Sequence, residues 1–241
     1  MSESFGSWQL EALVAVGGLG EVWRARRDAT VTAVKRLHTH LARNDEALRQ
    51  FSVEQRLATT LPRHPNVVHA FEAGDVAGRP YVALELVPGE DLRRLVAPPA
   101  TKQNATPAQV ILPRGRALAI VTAACDGAAH LHEHGWVHGD VCPGNLVVAI
   151  ENDSDRRRGL DRIVLVDLGV ARAAGEAGAV RGTHAYMAPE QVRGEAWTPA
   201  TDVFALGVVL WELIAGASLF HRGPPWLSMA AVVEVPAPPL A

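Results

Sequence analysis

Short apolar, β-branched runs dominate the first third of the chain, and the period of the pattern then lengthens. Residues 8–16, 21–26, 31–37, 67–73 and 81–87 predict strands. Between them, Asn44 or Asp45 can cap a helix reaching about Leu61. Within it Ala47, Phe51, Glu54, Ala58 and Leu61 fall at offsets of 0, 4, 7, 11 and 14, which is one face of a helix. The rest is mainly helical. Residues 117–134 predict a helix ending at Gly135, residues 146–150 and 163–166 predict two short buried strands, and an apolar helix begins near Asp202. Residues 97–116, 151–161 and the Pro-rich 232–241 read as solvated connections.

Composition narrows the classes further. A chain of 241 residues, 48% hydrophobic and 20% charged, can bury a core of its own. A net charge of −3 gives no case for a nucleic acid or an acidic membrane as partner. The apolar stretch 203–219 carries Glu212 and has Asp202 at its edge, so it predicts a buried helix and not a membrane span. The start, MSESFGSW, has neither the basic nor the apolar region of a secretory leader. Two unclustered thiols, Cys125 and Cys142, suit a reducing compartment, and the cytoplasm is the expected location.

Candidate chemistry starts at Gly17-Gly18-Leu19-Gly20, between two predicted strands. Glycines let a turn approach a phosphate closely and aim N–H groups at it. A plain hairpin turn is the alternative. In the next strand Val31, Ala33 and Lys35 share a face, and a lysine on an apolar face needs a negative partner. Glu54 lies on the buried stripe of the helix, where a carboxylate needs a positive one. Pairing Lys35 with Glu54 answers both needs. The strongest signal is His138-Gly139-Asp140-Val141-Cys142-Pro143-Gly144-Asn145, followed by Asp167-Leu168-Gly169. Carboxylate and amide oxygens of this kind suit Mg²⁺, which prefers hard oxygen donors. His130, His132 and His134 alternate before Gly135, but residues two apart do not share a helix face, which argues against a metal site.

With these residues in place, the chain resembles the protein kinase family, in particular the bacterial serine/threonine kinases of eukaryotic (Hanks) type. The resemblance runs from about Trp8 to Leu219 and includes His64-Pro65-Asn66-Val67-Val68, Leu84-Glu85-Leu86-Val87, the segment from Gly182 through Met187-Ala188-Pro189-Glu190, and Asp202 to Gly207. It implies an α+β, two-lobed fold in a single domain, with a small antiparallel sheet and one helix in the N-lobe (1–86) and a mainly helical C-lobe (87–241). It implies ATP and Mg²⁺ as cofactors and a protein as substrate. Val16, Gly17, Gly18, Leu19, Gly20 and Val22 would cover the phosphates; Val22, Ala33 and Val147 would hold the adenine, with Glu85 and Val87 on its edge, Leu84 as gatekeeper and Asp91 near the ribose. Lys35, oriented by Glu54, would bind the α- and β-phosphates; Asp140 would accept the hydroxyl proton; Asn145 and Asp167 would hold Mg²⁺; Thr183 matches the substrate-docking threonine.

Four positions depart from the family pattern. Ala15 replaces the first loop glycine, and Leu168 replaces the family phenylalanine. Gly139 stands where many kinases have an arginine that pairs with a phosphorylated activation loop, and residues 170–181 contain no Ser, Thr or Tyr. Activity independent of loop phosphorylation is therefore expected. Cys142 stands where Ser/Thr kinases place a lysine on the transferring phosphate. Two readings follow: a slow kinase, or a pseudokinase-like module that holds ATP or a partner without useful transfer. In the family, later helices supply an arginine for the glutamate matching Glu190, and the chain reaches Ala241 before them, so an incomplete C-lobe or a partner that completes it is expected.

Overall fold

The computed structural model describes residues 3–96, 111–149, 162–178, 180 and 182–240. The predicted connections 97–110 and 151–161 lie outside the described residues. The chain divides into two compact units. The first holds Met1–His64, Val68–Val87 and Asp167–Gly169; the second holds Pro65–Val67, Pro88–Val166 and Val170–Ala241.

The first unit is a six-stranded antiparallel sheet in the order β1-β2-β3-β4-β6-β5. Its strands are β1 (Glu3–Phe5), β2 (Trp8–Val16), β3 (Gly20–Arg27), β4 (Thr30–Leu37), β5 (Ala70–Val76) and β6 (Arg79–Leu84), with helix α1 (Asp45–Thr60) after β4. The hairpin β5–β6 closes through Ala77 and Gly78, both at positive φ, a turn whose twist matches that of the flanking strands. One face buries Phe5, Trp8, Leu10, Ala25, Val34 and Ala83 in an apolar cluster. Asn44 accepts a hydrogen bond from the Ala47 amide at 2.9 Å, with Asp45 and Glu46 in the first turn, so α1 starts where its capping residues place it. The fourth strand seen in the sequence begins at Ala70 and not at residue 67, because Val67 bridges Leu165 instead.

The second unit is mainly helical: α2 (Leu92–Val96), α3 (Arg114–Glu133), α4 (Pro189–Val192), α5 (Pro199–Ala215) and α6 (Pro225–Glu234). Short strands β7 (Gly89–Asp91), β9 (Leu146–Ala149) and β10 (Arg162–Leu165) pair in the order β10-β9-β7, and β8 (Trp136–Val137) pairs with β11 (Arg172–Ala173). Helix α5 packs on α3, begins at a Thr198 cap with Pro199 in its first turn, and ends at Gly216 with φ 64. Asn66 ties its stretch of chain to β10, donating to Ile163 O at 2.7 Å and accepting from the Leu165 amide at 2.8 Å.

Two expected connections are shorter than predicted. Helix α3 starts at Arg114, inside 97–116, and α6 takes in the first residues of 232–241. A buried cluster of Val208, Leu219, Phe220, Ala231 and Val232 holds α6 against α5. Among the described residues, no helix is long and apolar enough to cross a membrane.

Candidate active site

Lys35 is buried on β4, on the sheet face opposite Val34. Its Nζ donates to Glu54 Oε1 and to Asp167 Oδ1, each at 2.5 Å. Burial works against the lysine charge, but the Asp167 and Glu54 carboxylates outweigh it and hold the amine above its ordinary pKa. Lys35 is therefore a full cation between two anions. Glu54 is 3% exposed, whereas the Asp167 side chain is 44% exposed and keeps an outward aspect. Asp167 sits at φ 63, a conformation rare outside glycine and tolerated best by Asn and Asp. Gly169 explains the last letter of its motif. A Cβ there would lie 2.9 Å from Lys35 Nζ, 3.0 Å from Glu54 Oε2 and 3.1 Å from Asp167 Oδ1. Gln50 donates to Gly169 O at 3.0 Å and fixes that backbone from α1.

The glycine turn links β2 to β3, and Val16, Gly17 and Gly18 are exposed. The Gly17 amide donates to Gly20 O at 2.8 Å. His38 clips the turn twice: its amide donates to Leu19 O at 2.9 Å, and its Nε2 lies 2.8 Å from Gly17 O. An acceptor carbonyl there requires Nε2 to carry the proton. Val22 pairs with Lys35 and Leu84 with Ala33, so all four lie on one face of the sheet. Thr32 Oγ1 donates to Leu84 O, and the Glu85 amide donates to His69 O at 2.7 Å, which anchors the start of the stretch 85–87.

In the second unit Asp140 is held by both carboxylate oxygens. Asn145 Nδ2 donates to Oδ2 at 3.0 Å and to the Asp140 carbonyl at 2.8 Å, and the Thr183 amide donates to Oδ1 at 2.8 Å. Since Asn145 spends its N–H groups on Asp140, its side-chain oxygen is the atom that suits a hard cation. Gly182, at φ 116, leaves no room for a side chain, because a Cβ would stand 2.9 Å from Asp140 Oδ1. Cys142 is buried, and the Thr183 hydroxyl donates to its Sγ at 3.4 Å. Burial and the Asp140 charge push the thiol up to about 11, so it is neutral near pH 7.

Asp202 organises the backbone beneath this turn. It accepts from the amides of His138 at 2.9 Å and Gly139 at 2.8 Å, and its Oδ2 lies 2.8 Å from His132 Nε2. His138 is fully buried: its Nδ1 accepts from the Asp140 amide at 3.2 Å and its Nε2–H donates to Val166 O at 3.1 Å. Gln191 donates to Gly139 O at 2.8 Å. Glu190 accepts from Thr201 Oγ1 at 2.7 Å.

Within each unit, then, the structure brings the expected residues together as Lys35, Glu54 and Asp167, and as Asp140, Asn145 and Thr183. Asp91 and Val147 are register partners on β7 and β9. The Asp91 carboxylate also caps α2, accepting from the Arg94 amide at 3.0 Å, a commitment the sequence did not reveal. His38, Asp202 and Gln191 were missed as contributors. Asp202 had a usable signal, a carboxylate opening an apolar helix; His38 had none, since its bonds depend on how the chain leaves β4. The alternating histidines are accounted for by Asp202 and by His134 Nδ1 2.7 Å from His130 O, and no group of three His, Cys, Asp or Glu fit for a metal occurs among the described residues.

A family profile described as protein kinase domain matches residues 8–231. The chain is 32% identical over 246 residues to the serine/threonine-protein kinase PknB of Mycolicibacterium smegmatis, covering 96% of this chain and 36% of that protein. It is 33% identical over 249 residues to PknB of Mycobacterium tuberculosis, covering 97% of this chain and 36% of that protein. To the serine/threonine-protein kinase PknA of the same organism it is 32% identical over 248 residues, covering 98% of this chain and 53% of that protein. The chain thus spans between about a third and a half of the length of these relatives.

Proposed function

The chain belongs to the protein kinase family, with its two-lobed fold, and we propose that it transfers the terminal phosphate of ATP to a Ser or Thr hydroxyl of a protein. The observation that carries this reading is the buried Lys35–Glu54 ion pair, with Asp167 on the same amine. In kinases that pair and the motif aspartate must both be in place for transfer. Lys35 binds the α- and β-phosphates, and the glycine turn covers them with its backbone. Val22, Ala33 and Val147 hold the adenine. Since the Glu85 amide is engaged by His69, the adenine edge meets the Glu85 carbonyl and the backbone of Val87. Asp91 contributes near the ribose.

Asp140 accepts the proton of the substrate hydroxyl while the new P–O bond forms and the bond to the β-phosphate oxygen breaks, releasing ADP. Its orientation comes from Asn145 and Thr183, and Thr183 marks where the substrate docks. The donor chemistry of Asn145 and Asp167, an amide and a carboxylate oxygen, fits Mg²⁺. Bound there, the ion would neutralise phosphate charge.

The transfer is slow and independent of loop phosphorylation. A neutral Cys142 cannot supply the charge that the family lysine supplies, and one such preorganised group is worth roughly 10²–10³ in rate. From kinase turnovers of about 1–100 s⁻¹ that leaves roughly 0.001–1 s⁻¹. Both cysteines are free thiols, which supports the cytoplasm as the compartment. Cys142 also favours a second reading, a module that binds ATP or a partner without transfer.

The test is incorporation of labelled γ-phosphate from Mg·ATP into a generic basic protein, wild type against Asp140→Asn. Label carried by wild type and lost by at least about a hundredfold in the variant is the expected result. No label from either, with wild type still thermally stabilised by Mg·ATP, would select the binding module.

A further inference from the structure

Trp197 is the largest fully buried side chain of the described residues, and the reading above gives it no role. It lies just before α5, between the Ala-Pro-Glu stretch and Asp202. Among the described residues its Nε1 has no hydrogen-bond partner, so the indole is held by packing and by a stacked cation. One edge stands over Gly139. A Cβ at Gly139 would come within 2.2 Å of the Trp197 ring, and Gly139 sits at φ 73, where an L side chain is strained in any case. On its face lies Arg172, whose guanidinium carbon is 4.2 Å from the ring centroid. Another edge meets Gly178, where a Cβ would be 2.6 Å from the ring.

The backbone follows the same path. The Gly175 amide donates to Trp197 O at 2.8 Å, the Trp197 amide donates to Glu176 O at 3.1 Å, and Ala177 bridges Ala196. Arg172 also donates to Ala177 O at 2.9 Å, closing the loop on itself. Residues 172–173 are held beside the turn that carries Asp140 by pairing with β8, and residues 175–178 by the backbone and ring of Trp197. The glycines at 139 and 178 are what make room for it.

We propose that Trp197 is the positioning residue of the activation segment: with Gly139, Gly178 and Arg172 it clamps residues 172–178 to the Asp140 turn permanently. The proposal deepens the phosphoryl-transfer reading and rests on it for its catalytic consequence. In the family pattern the arginine replaced by Gly139 waits for a phosphate. Here the space beside position 139 is filled by an indole, and Arg172 is stacked on that indole. The clamp is always closed, and residues 170–181 offer no hydroxyl through which to regulate it.

Hydrogen exchange of the full chain, followed at the amides of Gly175 and Trp197, tests the clamp without reference to activity. Trp197→Ala is expected to speed exchange there by at least about tenfold, with nucleotide affinity unchanged within about twofold. The KM for the protein substrate should rise more than kcat falls. Trp197→Phe should restore most of the protection, since no indole hydrogen bond is lost. If Trp197→Ala does not fold, Arg172→Met carries the test, because it removes the stacked cation and leaves the core filled. It is expected to speed exchange severalfold at the same amides. Exchange within about twofold of wild type in whichever variant is read overturns the clamp. Failure of the transfer reading is separate: wild type would incorporate no label while these amides stay protected.

Discussion

Carboxylates in the two units are held in different ways. Around Lys35, one buried cation sits between Glu54 and Asp167. Around Asp140 and Asp202, amides hold both carboxylates: Asn145 Nδ2 and the Thr183 N–H for one, the His138 and Gly139 N–H groups for the other, with the His132 ring also on Asp202. A buried ion cluster depends on every member, because losing one leaves an uncompensated charge. Amide-held carboxylates keep their shape when a neighbouring cation is absent. That difference explains how Gly139 and Cys142 can occupy positions of family arginine and lysine while the geometry at Asp140 stays intact. What those positions lose is charge, aimed at the activation loop at 139 and at the transferring phosphate at 142, and not the scaffold.

The comparison breaks most visibly at Lys35. Lys35→Met removes the buried cation between Glu54 and Asp167, and urea unfolding should register a loss of about 3–5 kcal/mol. A loss under about 1 kcal/mol, the size of an exposed pair, would show that this cluster is no more demanding than a surface contact. Next in size is Cys142→Lys, which puts a cation into the amide-held region. Turnover should rise by up to roughly 10²–10³-fold. An unchanged kcat would mean that the missing charge does not limit the rate. The smallest effect is at His38. His38→Ala removes one hydrogen bond to the glycine turn, worth about 0.5–1.5 kcal/mol. The KM for ATP should then rise by roughly two- to tenfold with kcat nearly constant. His38→Gln, which keeps a donor, should recover part of it. Equal KM values in all three proteins would remove His38 from nucleotide binding.

The ease of reading these features from sequence differed for physical reasons. Lys35 and Glu54 were legible together because burial makes each of them demand the other, and the periods of strand and helix place both on inner faces. The order of Asp140, Asn145 and Asp167 was legible from motif spacing. Helix α6 was not expected: its last residues fall in the Pro-rich stretch 232–241 that reads as a connection, and its first turn carries Pro225, where a missing N–H costs nothing. Strand β1 is three residues long, too short for any period to show. Trp197 had no signal of its own. Its partner did, as an unexpected glycine at 139, but a glycine marks a vacancy without naming what fills it.

The proposed clamp of Trp197 on Gly139 would also set how this protein answers to other enzymes. A phosphate that orders a loop can be removed by a phosphatase, which gives the cell an off switch. An indole wedged against a glycine is encoded in the gene and cannot be hydrolysed away. In a catalytic domain clamped in this way, a phosphatase acting on residues 170–181 would find nothing to remove.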